Sequence, residues 1–166
     1  RDIDLLIVIK DKEVCKEDEV YDRLVNEFTL KFHLIFIPEE RITRLAEICP
    51  LTRSMLYNYV SNKKFLMPSS KIDKNHIKFL LMMPEDLLKI KANSRAFYDS
   101  IRRLITIEKF LDNKELDNEK INRELKEDTG NLFEYLKNNE EIDKNSVDNL
   151  RKIIRIRLKK INKKIK

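Results

Sequence analysis

RDIDLLIVIKD, residues 1–11, decides how this chain is read. After Asp4 the run Leu5–Ile9 is unbroken Leu, Ile and Val. A half-solvated strand would alternate, so a continuous branched run predicts a strand over 2–9 buried on both faces. Two carboxylates stand at its mouth. On a strand, positions i and i+2 share a face, so Asp2 and Asp4 project side by side, with Cα atoms about 7 Å apart. Two such carboxylates repel, and each is costly to bury. A divalent cation between them reverses that balance, and Mg²⁺ prefers hard oxygen ligands of this kind.

Working outward, KDKEVCKED is a polar connection. EVYDRLVNEF (19–28) sets Val20, Leu24 and Phe28 at i, i+4 and i+8, which predicts an amphipathic helix. KFHLIFI (31–37) reads as a second strand, stopped by Pro38. Strand, helix, strand is an α/β opening. Beyond Pro38 the pattern turns helical. EERITRLAEI and, after Pro50, LTRSMLYNYV read as short helices that pack Leu45, Ile48, Leu56 and Val60 onto the sheet. Pro68, Ser69 and Ser70 mark a boundary. Residues 73–82 and 85–111 follow as helices, with Pro84 opening the second and Leu87, Ile90, Phe97, Ile101, Leu104 and Ile105 on its apolar face. Helices at 115–126 and 131–138 flank Gly130, and a last helix spans 145–164. With Gly130 the sole glycine, few tight left-handed turns are available, which favours loops built on Asn and Pro. The expected fold is α+β: an α/β domain at 1–67 and a helical bundle at 68–166.

Composition bounds the function classes. At 166 residues, 42% apolar and 39% charged, the chain suits one domain, or two small ones, with a charged surface. No run approaches the roughly 18 apolar residues of a membrane span, and no signal-peptide layout is visible. Cys15 and Cys49 lack partners at metal-ligand spacing and read as reduced thiols of a cytoplasmic protein. The first residue is Arg1, already at the edge of a strand, as expected of the inner part of a longer protein. The net charge of +6 is unevenly placed. RKIIRIRLKKINKKIK (151–166) holds nine basic residues and no acid, so the preceding 150 residues carry about −3. Ile154, Leu158, Ile161 and Ile165 share one stripe of that helix. Its remaining surface is basic and suits a polyanion, an anionic membrane or an acidic partner.

R-D-I-D-L-L-I-V-I, followed by a helix and a second strand, resembles nucleotidyltransferases of the DNA polymerase β type, and their minimal members most. The resemblance covers about 2–40 well. It implies a small mixed sheet followed by a helical domain, and a Gly-Ser turn upstream of Arg1. It implies that Asp2 and Asp4 are catalytic and hold Mg²⁺ (or Mn²⁺). The implied reaction moves a nucleoside monophosphate from a nucleoside triphosphate, ATP being the expected donor, to a protein or nucleic-acid acceptor. The family's third carboxylate falls on the second strand, where this chain has His33. Glu39 or Glu40 would substitute if the strand ended near the metal. Loss of that acid is also the mark expected of an inactive fold kept as an interaction partner.

RLAEICPLTRSMLYNYVSNKKF (44–65) pulls toward a second class. It resembles the helix-turn-helix of bacterial-type repressors, with Thr52, Arg53, Ser54, Tyr57 and Asn58 facing phosphates and base edges. His76, Met82 and Met83 read as helix-surface or core residues.

Overall fold

The structure is a computed structural model that describes residues 3–10, 16–28, 30–57, 59–60 and 65–166, with the backbone alone at Ile3 and Asp4. By internal contacts the chain divides into two compact units, Arg1–Leu45 and Ala46–Lys166. The composition change at Pro68 lies well inside the second.

In the first unit β1 (Ile3–Ile9), α1 (Glu17–Phe28) and β2 (Phe32–Pro38) form a strand–helix–strand unit. The strands pair in parallel, from Ile3 opposite Phe32 to Ile9 opposite Pro38. A parallel pair needs a long crossover, and the 12 residues of α1 provide it. α1 packs on β2, and Phe28 meets Phe32 edge to face at 6.3 Å between ring centroids. Among the described residues the sheet has two strands, both parallel, so the expected mixed sheet is corrected to a parallel one. Burial on both faces is also corrected. In β1, Leu5, Leu6, Ile7 and Ile9 are only half-buried and Val8 is exposed; in β2, Phe32, Leu34 and Phe36 are half-buried and Ile35 is exposed. One crossover helix covers one face of a two-stranded sheet, and the other is only partly shielded, with Leu6 half-buried and Ile37 buried there.

α2 (Glu39–Ile48) runs across the division, and the rest is helical: α3 (Pro50–Tyr57), α4 (Lys74–Asp86), α5 (Ser94–Leu111), α6 (Asn118–Thr129), a 3₁₀ turn (Gly130–Leu132), α7 (Phe133–Lys137) and α8 (Lys144–Lys164). α5 is the hub, with α3, α4, α6, α7 and α8 all packed on it. Its Phe97, Ile101, Leu104, Ile105 and Ile107 are fully buried, as are Leu150, Ile154 and Ile161 of α8. α3 packs on α5 with Leu56 buried, and Val60, beyond the end of α3, is fully exposed rather than packed as expected.

The single helix expected over 85–111 is two. Pro84 lies inside the last turn of α4, where it removes a helical N–H donor, and α4 ends two residues later at Asp86. Leu88 N–H then donates to Glu85 O and Lys89 N–H to Asp86 O, which turns the chain. Asn93 caps the next helix, its side chain accepting from Ala96 N–H at 2.9 Å. Ile90, which fits the apolar period, is exposed on that turn.

The scarcity of glycine has the expected outcome. Asn113 and Asn139 adopt φ of 52° and 58° just after α5 and α7. Lys114 N–H reaches back to Lys109 O and Glu140 N–H to Tyr135 O, both at 2.9 Å, closing the helix ends as a glycine would. Gly130, at φ 56°, ends α6.

Candidate functional site

Parallel pairing sets Asp4 opposite His33. Both stand near the N-terminal ends of their strands, and His33 is exposed. Asp2 lies outside the described residues. The two polar positions that the sequence singles out on separate strands are thus brought to one level of the sheet. Glu39 and Glu40 are not. They open α2 beyond Pro38, at the opposite end of β2, about 16 Å of strand from His33. Both are exposed, and Glu39 O accepts from Thr43 Oγ1 at 3.0 Å. A third carboxylate from there does not reach the level of Asp4. Among the described residues no three His, Cys, Asp or Glu side chains gather as a metal site.

The helix-turn-helix candidates are placed differently. Arg53 Nη1 donates to Ala46 O at 3.0 Å and to Pro68 O at 2.7 Å, so its charge closes the end of α2 and ties down the following loop. Ser54 is buried, with Oγ 3.2 Å from Leu116 O and 3.2 Å from Asn118 Oδ1. Thr52 is half-buried, and Asn58 lies outside the described residues. Tyr57 is exposed beside Glu115; partial loss of water around the ring, then the Glu115 charge and hydrogen bond, push its hydroxyl pKa up. Tyr57, Tyr59, Phe65, Met67 and Lys114 border a shallow cleft of about 450 Å³.

The most developed polar constellation is one that sequence reasoning missed. Arg157 of α8 is 5% exposed and bonds three carboxylates. Nε donates to Asp128 at 2.6 Å, Nη1 to Glu108 at 2.7 Å and Nη2 to Glu124 at 2.9 Å. Lys109 pairs with Glu124 at 2.7 Å, and Lys164 with Asp112 at 2.5 Å. Burial pushes the Glu124 pKa up, but the hydrogen bonds and charges of Lys109 and Arg157 outweigh it and leave the carboxyl below its ordinary value. With every guanidinium edge occupied, this cluster fastens α5, α6 and α8 together and offers no open ligand position. A wider cleft of about 860 Å³ lies where α5 and α8 begin, lined by Lys91, Asn93, Asn139, Glu140, Lys144 and Arg151. Its polar groups are largely committed: Ser94 Oγ donates to Glu140 O, Arg95 N–H donates to Asn139 Oδ1 at 3.1 Å, and Arg151 donates to Leu87 O and Ile90 O.

No family model, curated protein or solved structure matches the chain. No helix among the described residues is long and apolar enough to cross a membrane.

Proposed function

We propose that the chain is a nucleotidyltransferase whose nucleotide site is built on the first unit. The observation that carries this reading is the parallel β1–α1–β2 unit, which sets Asp4 of the D-x-D strand in register with His33 of the second strand. Asp2 and Asp4 would hold Mg²⁺ (or Mn²⁺), since two carboxylates supply the hard oxygen ligands that ion prefers. The bound ion would neutralise triphosphate charge. Exposed His33 would line the site, where a ring N–H can donate to a phosphate or acceptor oxygen. An acceptor oxygen attacks the α-phosphorus in line, and pyrophosphate leaves; positioning and electrostatics supply most of the rate. Glu39 has no part in this, because it stands at the far end of β2.

The test is an Asp2→Ala, Asp4→Ala variant. It is expected to keep the parent's melting temperature and lose Mg²⁺-dependent binding of nucleoside triphosphates. Unchanged binding would overturn the assignment. A second reading, an inactive fold kept as an interaction partner, is favoured by one feature: His33 occupies the place of the third acid. Under it the parent binds triphosphate without releasing pyrophosphate. The helix-turn-helix reading draws no such support, because Arg53 and Ser54 are spent on internal hydrogen bonds.

A further inference from the structure

α8 sorts its cations onto two faces. Arg157, Lys160 and Lys164 turn toward the bundle and are matched by Glu108, Asp112, Glu124 and Asp128. Lys152, Arg155, Lys159 and Lys163 are exposed, and none makes an ion pair among the described residues. At 3.6 residues per turn these four fall within one narrow stripe, diametrically opposite buried Leu150, Ile154 and Ile161. They recur at each turn, over about 16 Å of helix. Beyond Asp148, which pairs with Arg151, the helix carries no acid to relieve them. Arg155, Lys159 and Lys163 are spaced i, i+4, i+8, an arrangement that weakens a helix through like-charge repulsion. An ordinary solvated face mixes both signs. This one is single-signed on a chain whose first 150 residues are net acidic.

We propose that the outer face of α8 is a nucleic-acid docking surface, its stripe of Lys152, Arg155, Lys159 and Lys163 tracking the sugar–phosphate backbone. A regular file of cations on a straight rod matches a polymer with a regularly repeated negative charge. A membrane is the poorer fit. The stripe carries a single apolar side chain, Ile156, and the other apolar residues of α8 face the core, so little is left to insert between lipids. Base reading is not implied, because the stripe has no aromatic side chain, and binding is expected to be indifferent to sequence. The inference is independent of the nucleotide site in the first unit.

The test uses the full chain and a fluorescently labelled mixed-sequence 20-base-pair DNA duplex, read by anisotropy across a salt series. Four phosphate contacts predict a slope of log K against log salt of about −3.6. A Lys152→Gln, Arg155→Gln, Lys159→Gln, Lys163→Gln variant should lose at least tenfold in affinity at low salt and flatten that slope to near zero. It should melt as the parent does, because the four side chains are exposed and make no ion pair among the described residues. A charge-matched control, Lys78→Gln, Lys89→Gln, Lys91→Gln, Lys126→Gln, should bind as the parent does. Three results would overturn the proposal: no duplex binding by the folded parent at 50 mM salt, equal losses in the two variants, or stripe-dependent binding to vesicles of phosphatidylserine and phosphatidylcholine without binding to DNA.

Discussion

Arg157 shows what one side chain can do in this fold. Its guanidinium is buried, and its three carboxylates come from α5 and α6. Removing it strands Glu108, Glu124 and Asp128 in a poorly solvated place, so Arg157→Ala should cost about 3–5 kcal/mol. Urea denaturation measures this, and a loss below 1 kcal/mol would show the cluster to be ornamental. Ser54 is a smaller case. Its hydroxyl donates to one acceptor at a time, so Ser54→Ala should cost about 1 kcal/mol by the same measurement. The cluster also sets a pH dependence. Glu124 is depressed below its ordinary 4.5, and the hydrogen bond and charge of Lys164 hold Asp112 below its ordinary 3.8. A depressed carboxylate contributes stability that is complete above its unfolded value and lost as pH falls through its folded one. The melting temperature should therefore be level near neutrality and fall below about pH 4.5. A melting temperature that holds steady to pH 3 would contradict this. Sequence alone marks Arg157 as one more cation of a basic tail. What distinguishes it is separation: its acids lie 29 to 49 positions away, and only helix packing brings them together.

At the scale of elements, local rules go far and fail at definite places. The continuous apolar run, the 3.6-residue periods and Pro38 locate β1, α1, β2 and α8 to within a residue or two. The break between α4 and α5 is hidden, because Leu87 and Ile90 continue the apolar period across it. The signal was Asn93-Ser94, a cap inside an apparently continuous helix. Asn93→Ala should destabilise the bundle by about 1 kcal/mol through loss of its bond to Ala96 N–H. Thermal melting of the variant checks it; no shift would mean the boundary is set by packing alone. Sheet type was legible in part. A βαβ start says the two strands are parallel, but the mixed sheet was an implication of resemblance rather than of these residues. The D-x-D pair was plain in the sequence and the resemblance already pointed to His33; the register adds that Asp4 and His33 stand opposite each other. The remoteness of Glu39 follows from the same parallel register.

At the scale of the molecule, the two units differ in how much they bury. Ile37 and Ile42 are the buried apolar residues described in Arg1–Leu45, while Ala46–Lys166 holds a continuous core around α5. A fragment of residues 46–166 should thus fold alone, with helical circular dichroism and a cooperative thermal transition. A broad, non-cooperative melt would show that its core depends on the first unit. The proposed division of labour would put the nucleotide site on the small strand–helix–strand unit and the basic face of α8 on the bundle. The most direct test of the central claim is calorimetric titration of the whole chain with ATP, GTP, CTP and UTP, with and without Mg²⁺. Mg²⁺-dependent binding of at least one triphosphate is expected. A folded, full-length protein that binds none of them in the presence of Mg²⁺ would contradict it.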